Sequence, residues 1–399
     1  MKHVLLLSLF ALLIAPGSQA QVRVVKSADR KITLDVSGLR VVGDAASQRF
    51  FQTLEKDLRL SGWLEPRRGS GELYLSGSVG ASGRKLKVIA QVARRGESTR
   101  IFSKSYSIET DRARTLAHRV ADDLVEAITG HKGIASTKIA VVGTRSGAKE
   151  LYLCDADGGN LQQITRDRKI IVGPNWGPNG DSIVFTSFVR GFPDVYKINL
   201  RKGRRDRVAG YPGLNTGGAL SPDGKELALI LSKDGNPELY IKNIRSGKLQ
   251  RLTSTRRTTE ASPCWSPDGR QLVYVSDQSG TPQLYIIARA GGRPTRLSNR
   301  GSENVAPDWG PNGLVVCASR SGGRYVIATI QPATGQTTYL TSDGADYEDP
   351  SWAPDGRHII AARSVNYQSS LYLLDTVNDP PVALLHGGGN WLSPAWSPR

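Results

Sequence analysis

A six-bladed β-propeller preceded by a small α+β domain is the architecture this sequence predicts. Three observations carry the prediction. A motif centred on a large apolar residue and a Pro-Asp-Gly or Pro-Asn-Gly turn occurs six times. Its copies follow one another at spacings of 44, 45, 44, 43 and 44 residues, the length of a four-stranded propeller blade. The sixth copy breaks off at Arg399, while an unpartnered strand pattern opens at Lys138.

The motif copies are PNWGPNG from Pro174, GALSPDG from Gly218, PCWSPDG from Pro263, PDWGPNG from Pro307, PSWAPDG from Pro350 and PAWSPR from Pro394. Their central residues are Trp176, Leu220, Trp265, Trp309, Trp352 and Trp396. After each turn comes an apolar strand, then a polar loop. A strand follows that in most copies is centred on tyrosine (Tyr196, Tyr240, Tyr285, Tyr372), and a fourth strand ends near Leu-Thr. Proline presets the first turn position near φ −65°, Asp or Asn tolerates the next, and glycine supplies the positive φ that turns the chain back. Asp223, Asp268 and Asp355 are therefore read as backbone devices rather than catalytic groups. Residues 139–142, 150–155 and 161–165 read as the second, third and fourth strands of a blade. The C-terminal strand is expected to supply its first, closing the ring and removing two exposed sheet edges. The propeller is thus assigned to residues 138–399.

Ahead of it lie three segments. In residues 1–20, Lys2 and His3 precede an apolar run from Val4 to Ile14, and Ser18-Gln19-Ala20 offers small residues for cleavage between Ala20 and Gln21. This predicts an export signal, since the run is well short of the ~20 residues that span a bilayer. Residues 21–130 are assigned to the α+β domain. Within it, 31–36, 73–79, 85–93 and 101–108 read as strands, and 45–60 as an amphipathic helix. In a second helix over 111–129, Leu116, Val120, Leu124 and Ile128 recur every four residues, with Gly130 as its stop. Residues 131–137 are the linker.

The sequence holds no G-x-S-x-G elbow, H-E-x-x-H pair or P-loop. No catalytic residue, metal or cofactor is expected. Asp155-Ala-Asp157-Gly-Gly-Asn160 has a trace of a calcium loop, but a polar hairpin turn explains it better. Cys154, Cys264 and Cys317 have no metal or CxxC spacing and read as buried small hydrophobes. The net charge of +17 is spread along the chain. With an export signal it points to acidic envelope partners rather than nucleic acid.

The ordered combination resembles the TolB family, periplasmic components of the Tol-Pal envelope system. DLRLSGWLEP from Asp57, AHRVADDLVEAITGHKGIASTKIAVV from Ala117, the repeats and the terminal PAWSP carry the resemblance. A shortened stretch between Pro66 and Leu73, and Leu220 in place of an aromatic, depart from it. The resemblance implies a non-enzymatic, periplasmic protein, a monomer within hetero-complexes that meets membranes only through its partners. It implies that the propeller binds the lipoprotein Pal and that the N-terminal region contacts TolA, supporting envelope integrity and outer-membrane constriction during division. The segment matching the family's N-terminal peptide includes Val22, Arg23, Val24 and Val25, whose alternation suits strand addition to a partner. The alternatives are a propeller that binds a small molecule or sugar, and an accessory subunit of a periplasmic enzyme.

The segments entering the first strand of each blade vary most between repeats, and variable loops on a rigid frame are where specificity is built. The Pal site is therefore expected on Leu214, Asn215, Thr216 and Gly217; on Thr259, Glu260 and Ala261; on Glu303 and Asn304; and on Asp346, Tyr347, Glu348 and Asp349. The acidic members stand out on a basic chain and are expected to meet basic partner groups.

Overall fold

The computed structural model of the chain describes residues 30–377 and 379–399. The expected signal segment, its cleavage pair Ala20-Gln21 and the partner-binding Val22, Arg23, Val24 and Val25 lie outside the described residues.

The N-terminal part is a mixed five-stranded sheet with two helices. Its strands are β1 (Ile32–Val41), β2 (Leu64–Arg67), β3 (Leu73–Ser82), β4 (Lys85–Arg94) and β5 (Arg100–Glu109), in the spatial order β2-β1-β3-β4-β5. Helix α1 (Ala45–Leu60) starts where Asp44 accepts the Ser47 N–H at 2.8 Å, an N-cap. Helix α2 (Ala113–Thr129) ends at Gly130, whose φ of 77° places it in the left-handed region glycine favours. Phe50, Leu54 and Leu58 of α1 meet Leu116, Val120, Leu124 and Ile128 of α2 in a core against β1, β3 and β4. The expected strands and helices are present. β2, which pairs parallel with β1 over only four residues, is an addition, and the first turn of the second helix is 3-10. β2 is missed because a strand so short shows no alternation.

The propeller has six four-stranded antiparallel sheets. The innermost strands are Ile171–Trp176, Asn215–Leu220, Glu260–Trp265, Asn304–Trp309, Asp346–Trp352 and Trp391–Trp396, in blades one to six. Blade six is composite. Trp391–Trp396 pairs with Lys138–Gly143, with Trp391 opposite Gly143 and Trp396 opposite Ile139. Gly143 leaves room for this, because a Cβ there would lie 2.4 Å from the Trp391 ring. Trp396 donates from Nε1 to Thr137 Oγ1 at 2.7 Å. Trp391, outside the repeat motif, is fully buried and packs edge-on to Tyr152.

The turns behave as backbone devices. Asp223 and Asp268 accept from the Ser221 and Ser266 hydroxyls at 2.6 Å, and Gly224, Gly269 and Gly356 have φ near 70°. Cys154 and Cys317 are buried, Cys264 is half-buried, and all three are free thiols. No helix of the described residues is long and apolar enough to cross a membrane.

Candidate protein-binding face

Strand direction alternates within each blade. The segments entering the first strand and the loops between strands two and three therefore share one face of the ring. The proline turns and the loops between strands three and four share the other.

The N-terminal sheet and helices are fastened to the turn face. Arg114 of α2 donates to Asp155 at 3.1 Å, at the end of strand three of blade six, and to Asp157 at 2.7 Å, in the turn to strand four. His118, one helical turn on, bridges Asp57 of α1 at 2.7 Å and Asp155 at 3.2 Å. Lys138 pairs with the other oxygen of Asp155. Arg357, in the proline turn of blade five, donates to the Gly62 carbonyl at 2.9 Å. It also stacks on Trp63 and pairs with Asp375 at 2.7 Å. Burial opposes the proton on His118, but its two carboxylate partners win and lift its pKa from 6.5 to about 9. Burial pushes Asp57 up to about 6 against His118, whereas Asp155, with three cationic neighbours, is held well below the usual carboxylate range.

The polar turn 155–160 is thus a docking element. His118, Asp155 and Asp157 lie close enough to share a cation, but Arg114 and Lys138 already balance the carboxylates. This cluster was not anticipated from the sequence. Its trace there is the i, i+4 pair Arg114 and His118, a polar strip beside the apolar stripe of α2.

On the opposite face the innermost strands frame a channel mouth. Most of the expected site residues are the beginnings of these strands rather than loops; Leu214, Thr259 and Glu303 immediately precede them. Five residues before each motif centre stands one position per blade: Ile171, Asn215, Glu260, Asn304, Tyr347 and Trp391. All six are buried. Asn215 closes its own loop by donating to the Tyr211 and Gly213 carbonyls. Asn304 does the same with the Arg300 carbonyl and Gln283. Tyr347 donates to Asp343 at 3.0 Å. Glu260 faces inward onto Ser276 and Thr255, and burial and the nearby Glu238 charge push it up to about 7. These four side chains shape the face instead of presenting themselves on it.

Two residues further along, each inner strand bulges. Gly173, Gly217, Ser262, Ala306, Asp349 and Ser393 all have positive φ, between 44° and 68°, where the strand register shifts. Gly217 is required on a second count, since a Cβ there would sit 2.9 Å from Pro263 of the next blade. The bulges and the prolines after most of them wall a cavity of about 140 Å³, which Cys264 and Asp308 also line. Asp308 accepts the Trp352 N–H at 2.7 Å and Asp349 accepts from Ser393 at 2.8 Å; burial raises both pKa values.

The remaining expected residues divide in two. Glu303 is taken up by Arg320 at 2.8 Å and by Tyr325, and Asp346 by Arg324 at 3.3 Å and the Tyr325 N–H. The chain's own arginines therefore offset much of the acidity expected to meet a partner. Leu214 is half-buried against the core between blades two and three. Thr259 and Glu348 are exposed, and Thr216 and Ala261 half-exposed, around the mouth.

The family model described as the TolB beta propeller domain matches residues 125–399. The chain is 32% identical over 296 residues to the Tol-Pal system protein TolB of Anaeromyxobacter dehalogenans, covering 66% of this chain and 67% of that protein. It is 34% identical over 188 residues to the TolB homologue of Chlorobium chlorochromatii, 46% of this chain, and there it spans less than half of the relative's length, 42%. Its fold matches the crystal structure of TolB from Acinetobacter baumannii with a TM-score of 0.83 at 24% identity, covering 93% of this chain and 98% of that one. With the family's propeller matched over most of its length, and the N-terminal sheet seated on the ring's turn face, this chain belongs to the TolB family.

Proposed function

We propose that this chain works without catalysis, as the periplasmic protein-binding component of a Tol-Pal system. Pal docks on the propeller face around the channel mouth. TolA binds the N-terminal segment containing Val22, Arg23, Val24 and Val25. Together these contacts support envelope integrity and constriction of the outer membrane during division.

The observation that carries the reading is the division of the ring's two faces. The N-terminal part sits on the turn face at blades five and six, where Arg114 pairs with Asp155 and Asp157 and Arg357 donates to the Gly62 carbonyl. The face with the varied strand beginnings is left open to a partner, its backbone fixed by the buried Asn215, Asn304 and Tyr347. Such a frame binds with little ordering cost, which is what gives a rigid surface its affinity. The test is a crosslinked pull-down from the cell envelope with partners identified by mass spectrometry. Recovery of Pal supports the reading, and recovery of only a soluble metabolite-processing complex overturns it.

A further inference from the structure

The open face carries a second sector, bordering the strand beginnings assigned to Pal. Its contiguity can be followed bond by bond. The hairpin tip of blade five meets blade six where the Ser369 N–H donates to Asn390 at 2.9 Å and the Thr144 N–H to the Asn390 carbonyl at 3.0 Å. Blade six meets blade one where the Ile171 N–H donates to the Lys149 carbonyl at 3.1 Å and the Arg168 N–H to Glu150 at 2.6 Å. Within blade one, the Phe188 N–H donates to the Ile170 carbonyl at 3.0 Å, joining the two loops of that face.

Along this arc apolar side chains point into solvent. Tyr367 is 96% exposed and Phe192 73%, with Ile170 and Val189 exposed beside Phe192. Tyr367 is also strained. Asn366 and Tyr367 form the two-residue turn of their hairpin with φ of 49° and 63°, a geometry in which the second position favours glycine. A bulky ring held there, fully exposed, gains nothing from the fold.

Six cations surround these tips: Arg145, Lys149, Arg166, Arg168, Lys169 and Arg190, all exposed. Most nearby carboxylates are engaged elsewhere, and Asp349, which feels the charge of Lys149, is buried and bonded to Ser393 at 2.8 Å. Asp167 pairs with Arg205, Asp194 pairs with Arg207 at 3.1 Å, and the buried Glu150 is held by Thr165 and Arg168 N–H. Among the described residues none of the six cations has an ion-pair partner.

We infer that this sector docks on an anionic phospholipid surface, with Phe192, Ile170, Val189 and Tyr367 at the headgroup boundary and the six cations over lipid phosphates. Convex apolar tips ringed by unpaired Arg and Lys match a charged, laterally continuous surface. An acidic protein would need a separate hollow for tips carried on two different blades. The inference does not depend on the Pal assignment.

The test is flotation of the full chain with vesicles of phosphatidylcholine alone and of phosphatidylcholine with phosphatidylglycerol. Binding is expected only with the anionic lipid and should fall as salt rises. Lys149→Gln and Arg190→Gln should each weaken it about fivefold. Phe192→Ser should weaken it too. Tyr367→Gly separates docking from folding: it relieves the turn, so thermal stability should hold or rise while vesicle binding falls. Equal binding to neutral and anionic vesicles, or binding unmoved by all four variants, overturns the inference. So does a photocrosslinker at position 192 that captures an acidic envelope protein while vesicle binding is absent.

Discussion

Replacing Trp396 with alanine should destabilise the propeller by about 4 kcal/mol, and the reason is ring closure. Trp396 is 5% exposed, and its indole packs in the core shared by blades five and six. Removing a buried indole forfeits roughly 200 Å² of burial, about 5 kcal/mol at the usual coefficient. Large-to-small changes of this kind cost about 3–5 kcal/mol once the site partly relaxes. The bond from Nε1 to Thr137 is lost as well, worth about 1 kcal/mol. Trp309, at the same motif position of blade four, is a built-in comparison. It is half-buried, and its Nε1 bonds only to Gly313 of its own turn at 3.2 Å. Trp309→Ala should cost only about half as much. Urea unfolding followed by far-ultraviolet circular dichroism reads both, with the slope of the propeller transition checked for constancy. A Trp396→Ala loss below about 1 kcal/mol, or one no larger than that of Trp309→Ala, would refute the closure argument.

Three further outcomes are expected. His118 holds its proton more tightly in the folded protein, so its contribution is complete below pH 6.5 and is lost as pH rises toward about 9. Asp155, held low, contributes fully above 3.8 and loses that as pH falls below it. Thermal melts across pH should therefore show stability declining between 6.5 and 9, and His118→Gln should flatten that limb; an unchanged limb would remove His118 as its source. A fragment starting at Ala135 should fold alone, since the blade cores take only Leu60 and Ile134 from the preceding part; an unfolded monomer would count against a boundary between Gly130 and Lys138. Gly217→Ala should destabilise by about 1–3 kcal/mol, from its left-handed backbone and the approach of Pro263; denaturant midpoints equal to wild type would mean that the bulge tolerates a side chain.

The ring was legible because propeller repeats print themselves on the chain. The Trp and Pro-Asp-Gly spacings set the number of blades and located the second strand of each, and the truncated sixth motif gave the composite blade. Helix α1 was legible to the residue because Asp44 caps it. The candidate face was legible only in outline. Strand beginnings and loops look alike in sequence when a bulge follows, so Asn215, Glu260, Asn304 and Tyr347 read as surface although their side chains turn inward. Acidic Glu303 and Asp346 read as unpaired because their arginines, Arg320 and Arg324, both lie on the outer hairpin of blade four, about 20 residues away in sequence. The docking of the N-terminal part joins Arg114 to Asp155 and Asp157, more than 40 residues away, and no local pattern encodes such a pairing.

The most direct test of the account is the affinity of Pal for the full chain carrying bulky or reversed side chains at the channel mouth, measured by titration calorimetry. Thr216→Trp, Thr259→Arg and Glu348→Lys alter side chains that are exposed or half-exposed there. Asp268→Lys alters an exposed turn on the opposite face. The account predicts that each of the first three weakens Pal at least tenfold with the melting temperature held, while Asp268→Lys leaves Pal affinity unchanged. Pal binding that survives all three mouth variants, or that is lost with Asp268→Lys in a folded protein, would contradict it.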